Sequence, residues 1–137
     1  MELKISAQPV VKGHAKGSLV VSQQPFSFFG GFDFNSGLVV DPRSDVYQKS
    51  LKNKIFAYPG GKGSSSTAGV ILEALKQGVA PQAIINVDAE KILAVGAIVA
   101  EVIFNWSIPI ISVSKEDFAR LTTGKQVEIR DGEIVIN

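Results

Sequence analysis

No cysteine occurs among the 137 residues, and histidine, methionine and tryptophan occur once each. Without cysteine the chain forms no disulfide, offers no thiol nucleophile, builds no cysteine-based zinc site and holds no iron–sulfur cluster by its own thiolates. A single histidine argues against a His-rich metal site and against a self-contained Ser-His-Asp triad. An excess of one charge is missing too. With 14 Lys+Arg against 13 Asp+Glu the net charge is +1, which gives no reason to expect a nucleic-acid partner. Long apolar runs are absent, because Gly, Glu or Asn interrupts each one before the ~20 residues of a membrane span. Met1-Glu2-Leu3-Lys4-Ile5-Ser6 carries no basic region followed by an apolar stretch. No export signal is expected, and the chain is read as cytoplasmic.

What is present is the composition of a folded protein. Hydrophobic residues make up 45% and charged residues 20%, too apolar a balance for a disordered chain. The length suits one core of roughly 100–150 residues. No repeat or low-complexity linker interrupts it, so residues 1–137 are read as a single domain.

The first half reads as β-rich, with apolar segments at Leu3–Ala7 and Leu19–Ser22 and glycines at 13 and 17 between them. Five of the eight phenylalanines fall between Phe26 and Phe34, around the adjacent Gly30 and Gly31. Such a pair marks a tight bend where another backbone or a ligand comes close. The second half changes period. Ile55–Tyr58 reads as a strand and Pro59-Gly60-Gly61-Lys62-Gly63 as a loop. Ala68, Ile71, Leu72 and Leu75 then recur at helical spacing, with Gly78 and Pro81 as stop signals. Ala83–Val87 reads as a strand, with Asp88 expected to cap the helix that runs on through Gly96–Phe104. Pro109–Val113 reads as a strand, and Ser114-Lys115-Glu116-Asp117 as a capped helix start. Asp131-Gly132 between Val127–Ile129 and Ile134–Ile136 is a hairpin signal. Strand–helix–strand units after a β section predict a layered α/β domain.

Chemistry concentrates in Pro59-Gly60-Gly61-Lys62-Gly63-Ser64-Ser65-Ser66-Thr67. A strand that ends in glycines and opens a helix presents unpaired N–H groups at the positive end of the helix dipole, which suits a carboxylate or phosphate. Four hydroxyls and the Lys62 cation stand with them. The plain alternative is a glycine turn with one N-cap serine, but three consecutive serines behind Gly-Lys-Gly exceed what a cap requires. Nucleotide loops do not match: Lys62 precedes Gly63 instead of following it, and no glycine lies where a phosphate loop or a dinucleotide fingerprint needs one.

These segments resemble the small subunit, or swivel domain, of the aconitase X family. The resemblance is carried by Ser27-Phe28-Phe29-Gly30-Gly31 with Asp33 and Gly37, and by Gly61-Lys62-Gly63-Ser64-Ser65-Ser66. Gly78-Val79-Ala80-Pro81 and Ile92–Ala100 leading to Ile108-Pro109 extend it, in order, from about Gly13 to Val113. It implies an α/β fold of the swivelling β/β/α kind, three-layered or barrel-like with packed helices, that docks on a separate large subunit. That subunit carries a 4Fe-4S cluster and most of the substrate site, in keeping with the absence of cysteine here. The implied reaction removes water from a phosphorylated hydroxy acid, (R)-5-phosphomevalonate, to give trans-anhydromevalonate 5-phosphate on the archaeal mevalonate route to isoprenoids. Other members of the family act on hydroxyproline. By position, Ser64 matches the serine that serves such enzymes as general base, while Lys62, Gly63, Ser65 and Ser66 would hold the substrate's anionic groups. A serine hydroxyl is a poor base near neutral pH, so N–H donors and a cation must stabilise its alkoxide. Aconitase itself has an arginine shortly after its paired serines. Ser66-Thr67 stands there in this chain, and no arginine clamp carries over.

The other polar residues have plainer readings. His14 does not sit before the Gly96 helix, as a phosphohistidine swivel domain would require, and is expected at the surface or at a subunit interface. Asp33 and Asp41 are expected to cap turns and not to pair for hydrolysis. Lys49, Lys52 and Lys54 read as a solvated face, and the phenylalanine run as core with some partner-facing members. Besides a hydro-lyase subunit, a non-catalytic anion-binding module and a scaffold domain are compatible with the residues alone.

Overall fold

The computed structural model describes residues 3–61, 67–89 and 91–137. One eight-stranded sheet runs in the order β1-β8-β7-β3-β4-β5-β6-β2. Its strands are β1 (Leu3–Ser6), β2 (Gln8–Val11), β3 (His14–Val21), β4 (Ile55–Ala57), β5 (Ala83–Asn86), β6 (Ile110–Ser112), β7 (Gln126–Arg130) and β8 (Glu133–Ile136). The two edge strands, β1 and β2, are consecutive in the chain, separated by Ala7 alone, so the order nearly closes on itself as a barrel.

Two extended runs switch partners to make this possible. Leu3–Ser6 pairs antiparallel with β8, and Gln8–Val11 continues antiparallel along β6. His14–Ser18 pairs antiparallel with β7, while Leu19–Val21 runs parallel to β4. The barrel is thereby two sheets that share corner strands, one antiparallel and one largely parallel.

Alternation along the parallel strands splits the core in two. Ile55, Ile85 and Ile111 face the antiparallel sheet and meet Ile5, Ile129 and Ile134. Phe56, Ile84 and Ile110 face the other way, toward the helices. All four residues of β5 are buried, as expected for a parallel strand covered on both faces. The layers are thus β, β and α, as the resemblance implied.

Among the described residues there are four helical segments: α1 (Phe28–Gly31), a single kinked turn, α2 (Thr67–Gln77), α3 (Lys91–Phe104) and α4 (Lys115–Phe118). The Ser114 hydroxyl accepts the Asp117 N–H at 3.1 Å, which is the expected cap. At the end of α2, Gly78 adopts φ +75° and the Val79 N–H reaches the Ala74 carbonyl at 3.0 Å, a glycine-stopped C-terminus. The buried stripe of α2 is displaced from the expected one. Val70, Ile71 and Ala74 are buried, while Ala68, Leu72 and Leu75 are half-buried. The reason is that α3 lies against the flank of α2, so burial follows two neighbours instead of one. Gly96 makes that approach possible: a Cβ there would stand 2.8 Å from Ile71 Cγ2 and 2.9 Å from Ala68 Cα.

The phenylalanine run divides. Phe26, Phe28 and Phe32 are buried with Phe56 and Tyr58, in a cluster whose contacts include ring centroids 5.1 Å apart for Phe26–Phe28 and 4.8 Å for Phe56–Tyr58. Phe29 and Phe34 are exposed.

Candidate functional site

The parallel strands β3, β4, β5 and β6 end at one edge of the sheet, where open α/β sheets place their ligand sites. The Gly-rich segment departs from that edge after β4. Its first residues are held from both sides. The Phe26 N–H donates to the Gly60 carbonyl at 3.0 Å, and Phe26 bridges Gly61 as a parallel neighbour. The Val87 and Asp88 N–H groups both donate to the Pro59 carbonyl, at 3.0 and 2.9 Å. The expected Asp88 cap falls at Glu90, which lies outside the described residues; the Asp88 side chain lies beside Gly60, where a Cβ would be 3.4 Å from the Asp88 Cβ.

Beneath this frame sits Asn86, fully buried at the end of β5. Its Nδ2 donates to the Tyr58 carbonyl at 3.0 Å, and its Oδ1 is buried without a hydrogen-bond partner among the described residues. The Ser112 hydroxyl donates to the Val87 carbonyl at 2.8 Å. These bonds fix the ends of β4, β5 and β6 relative to one another. Sequence reasoning missed Asn86; the available signal was one amide closing the otherwise apolar Ala83-Ile84-Ile85-Asn86.

Lys62, Gly63, Ser64, Ser65 and Ser66 lie outside the described residues. Their two attachment points are defined. Gly61 is exposed at the strand edge, and Thr67 is buried as the first residue of α2. The segment therefore joins the C-terminal end of β4 to α2, which is described from Thr67.

Beside Phe26, the turn Ser27–Gly31 and the strip Val40–Arg43 enclose a cavity of about 430 Å³. Gly30 turns there with φ +86°, and the Ser27 hydroxyl donates to the Phe29 carbonyl at 2.8 Å. Asp41 accepts both the Arg43 N–H, at 3.0 Å, and its Nε, at 3.3 Å. Asp33 also serves a turn: it accepts the Ser36 hydroxyl at 2.7 Å and the Asn35 N–H at 3.0 Å, and these bonds hold its carboxyl below the usual range. Both aspartates are turn residues, as expected.

His14 stands away from this edge. It opens β3 opposite Arg130, and seven residues of strand, about 23 Å, separate it from Val21 at the site end. Its ring is largely exposed and lies 3.4 Å from the Asp131 carboxylate. Glu128, held below its usual range by the Arg130 guanidinium, belongs to the same antiparallel half. Among the described residues no group of three or more His, Cys, Asp or Glu side chains is placed to hold a metal. Nor is any helix among them long and apolar enough to cross a membrane.

The family model described as the aconitase X swivel domain matches residues 4–137. This chain belongs to that family. Among curated members, it is 44% identical to the phosphomevalonate dehydratase small subunit of Pyrococcus furiosus, over 96% of this chain and 91% of the relative. It is 35% identical to the protein of the same name from Methanosarcina acetivorans, over 96% and 88% of the two chains. The crystal structure of Thermococcus kodakaraensis aconitase X, in its holo-form, superposes with a TM-score of 0.87 at 37% identity, covering 98% of each chain. The swivel fold inferred from the Gly-Ser and Phe-Gly-Gly segments is the fold observed.

Proposed function

We propose that this chain is the small subunit of a heteromeric hydro-lyase that dehydrates (R)-5-phosphomevalonate to trans-anhydromevalonate 5-phosphate, with Ser64 as its general base. The observation that carries the reading is end-to-end similarity, 44% over 96% of the chain, to a relative named for that activity. The site edge supports it: a glycine segment leads from the parallel strands into a helix, held by paired bonds to Gly60 and Pro59. In this reading the Ser64 alkoxide takes the proton from carbon, the resulting electron pair forms the new double bond, and the hydroxyl departs as hydroxide, which becomes water with the proton that Ser64 gives up on returning to its alkoxide. N–H groups and Lys62 stabilise the alkoxide, while Gly63, Ser65 and Ser66 hold the substrate's carboxylate or phosphate.

The chain's donor set does not fit a cluster, since it has no thiolate to offer. In this reading a 4Fe-4S cluster would be held by the larger subunit, and only the proton transfer and the anion contacts are assigned to this chain.

The test is an anaerobic assay of phosphomevalonate dehydration by this chain purified with its larger partner. The expected result is a coloured complex with activity that the isolated chain lacks. In the Ser64→Ala complex turnover should fall by about 10²–10⁴ while substrate affinity and subunit association stay near normal. A loss confined to affinity, equivalent to about 1 kcal/mol, would reduce Ser64 to a binding residue.

A further inference from the structure

We infer that the outward face of α3 is a docking surface for the larger subunit, continuous with the rim of the site. This rests on reading the chain as a small subunit. The inner face of α3 is conventional: Leu93, Ala94, Gly96, Ala97 and Ala100 are buried against α2 and the sheet. The outer face is not. Ile92, Val95, Ile98 and Val102 follow one another along the helix surface, with Ile103 and Phe104 at its end, and all six are exposed, Val102 at 76% and Ile103 at 66%. Between Ile92 and Phe104 the one charged residue is Glu101. Together these six exposed side chains form an apolar patch of the kind that marks an interaction surface.

Three observations select the occupant. The patch begins at the site, because Ile92 lies four residues beyond Asp88, which packs beside Gly60. On the opposite flank of the same edge, Phe29 and Val40 are exposed at the mouth of the cavity. One partner lying across the edge covers both flanks, whereas a second copy paired along α3 alone leaves Phe29 and Val40 in water. The dimensions agree: fourteen residues of helix are about 21 Å long, within the roughly 30 Å width of a standard interface burying about 800 Å² per partner. A membrane surface fits less well, since interfacial helices carry Lys and Arg along a polar face, and the other face of α3 is buried apolar surface.

The experiment compares wild type, the double variant Ile98→Glu/Val102→Glu, the milder Val102→Gln and a charge change on α2, Lys76→Glu, each titrated with the larger subunit. All four should fold alike, with equal helical signal and melting temperature, because the altered side chains are exposed. The double variant should bind at least about 100-fold more weakly, Val102→Gln about tenfold, and Lys76→Glu within about threefold of wild type. Unchanged binding by the double variant overturns the inference. So does unchanged binding combined with the loss of a wild-type homodimer, which would give the surface to a second copy. Wild type that binds no larger subunit overturns the small-subunit reading and this inference with it. A complex that assembles but does not dehydrate phosphomevalonate overturns the proposed reaction alone.

Discussion

Helices α2 and α3 share one sheet face and pack against each other, yet they are finished differently on the side away from the core. α2 turns Gly69, Glu73, Lys76 and Gln77 outward, as a surface helix does. α3 exposes Ile92, Val95, Ile98, Val102, Ile103 and Phe104, with Lys91 and Glu101 as its charged residues. Helix formation and inner packing place the same demands on both, so they cannot account for the difference. An apolar outer face left in water costs solubility and contributes nothing to the fold of the isolated chain. The contrast fits the proposed division, in which α2 serves the site through the segment entering it and α3 serves an assembly along its length.

The strongest way to break this division is Ser64→Ala, at the entry to α2. A drop in turnover of about 10²–10⁴ with association intact keeps catalysis on the α2 side, and a loss of association instead would erase the distinction. Next in size is the inner face of α3. Leu93 is fully buried, and Leu93→Ala should cost about 2–5 kcal/mol in urea unfolding of the isolated chain, unlike any change on the outer face. Gly96→Ala probes the line where the helices meet. The added methyl has backbone of Ala68 and the branched carbon of Ile71 in its way, so α3 must move outward, at about 1–3 kcal/mol.

The smallest effect lies away from both helices. The carboxyl of Asp33 is held below its ordinary value of 3.8, chiefly by the Ser36 hydroxyl. A lowered folded value means that its contribution is present above the unfolded value and lost as pH falls through the folded one. Asp33→Asn should leave melting near pH 7 almost unchanged and flatten its dependence below about pH 4, read by melting temperature across that range.

Local signals in the sequence survived into the structure wherever the cause was local. Gly78 stops α2 because a left-handed residue is needed there, and Ser114 caps α4 because its hydroxyl reaches an N–H three residues on. Asp131-Gly132 turns between β7 and β8 with Asp131 at φ +53°. The Gly-Lys-Gly-Ser segment was singled out on adjacent residues alone, and Lys62–Ser66 lie outside the described residues. Features set by distant partners were not legible. The α2 stripe shifted because α3 flanks it, and the five clustered phenylalanines divided between core and surface according to whether they joined the aromatic cluster around Phe56 and Tyr58, Phe32 doing so through Phe28. Asn86 became notable only when its strand was enclosed on both faces.

Residue order alone therefore determined most of the strands of the second half, the stop of α2, the cap of α4, the absence of thiolate ligands and the segment proposed to carry the chemistry, since each depends on near neighbours or on composition. Tertiary structure decided that the β1–β2 run and β3 each pass between two sheets, that His14 stands a strand's length from the site, and which face of a largely apolar helix remains uncovered. Those outcomes depend on which surfaces meet, and burial is a property of the pair.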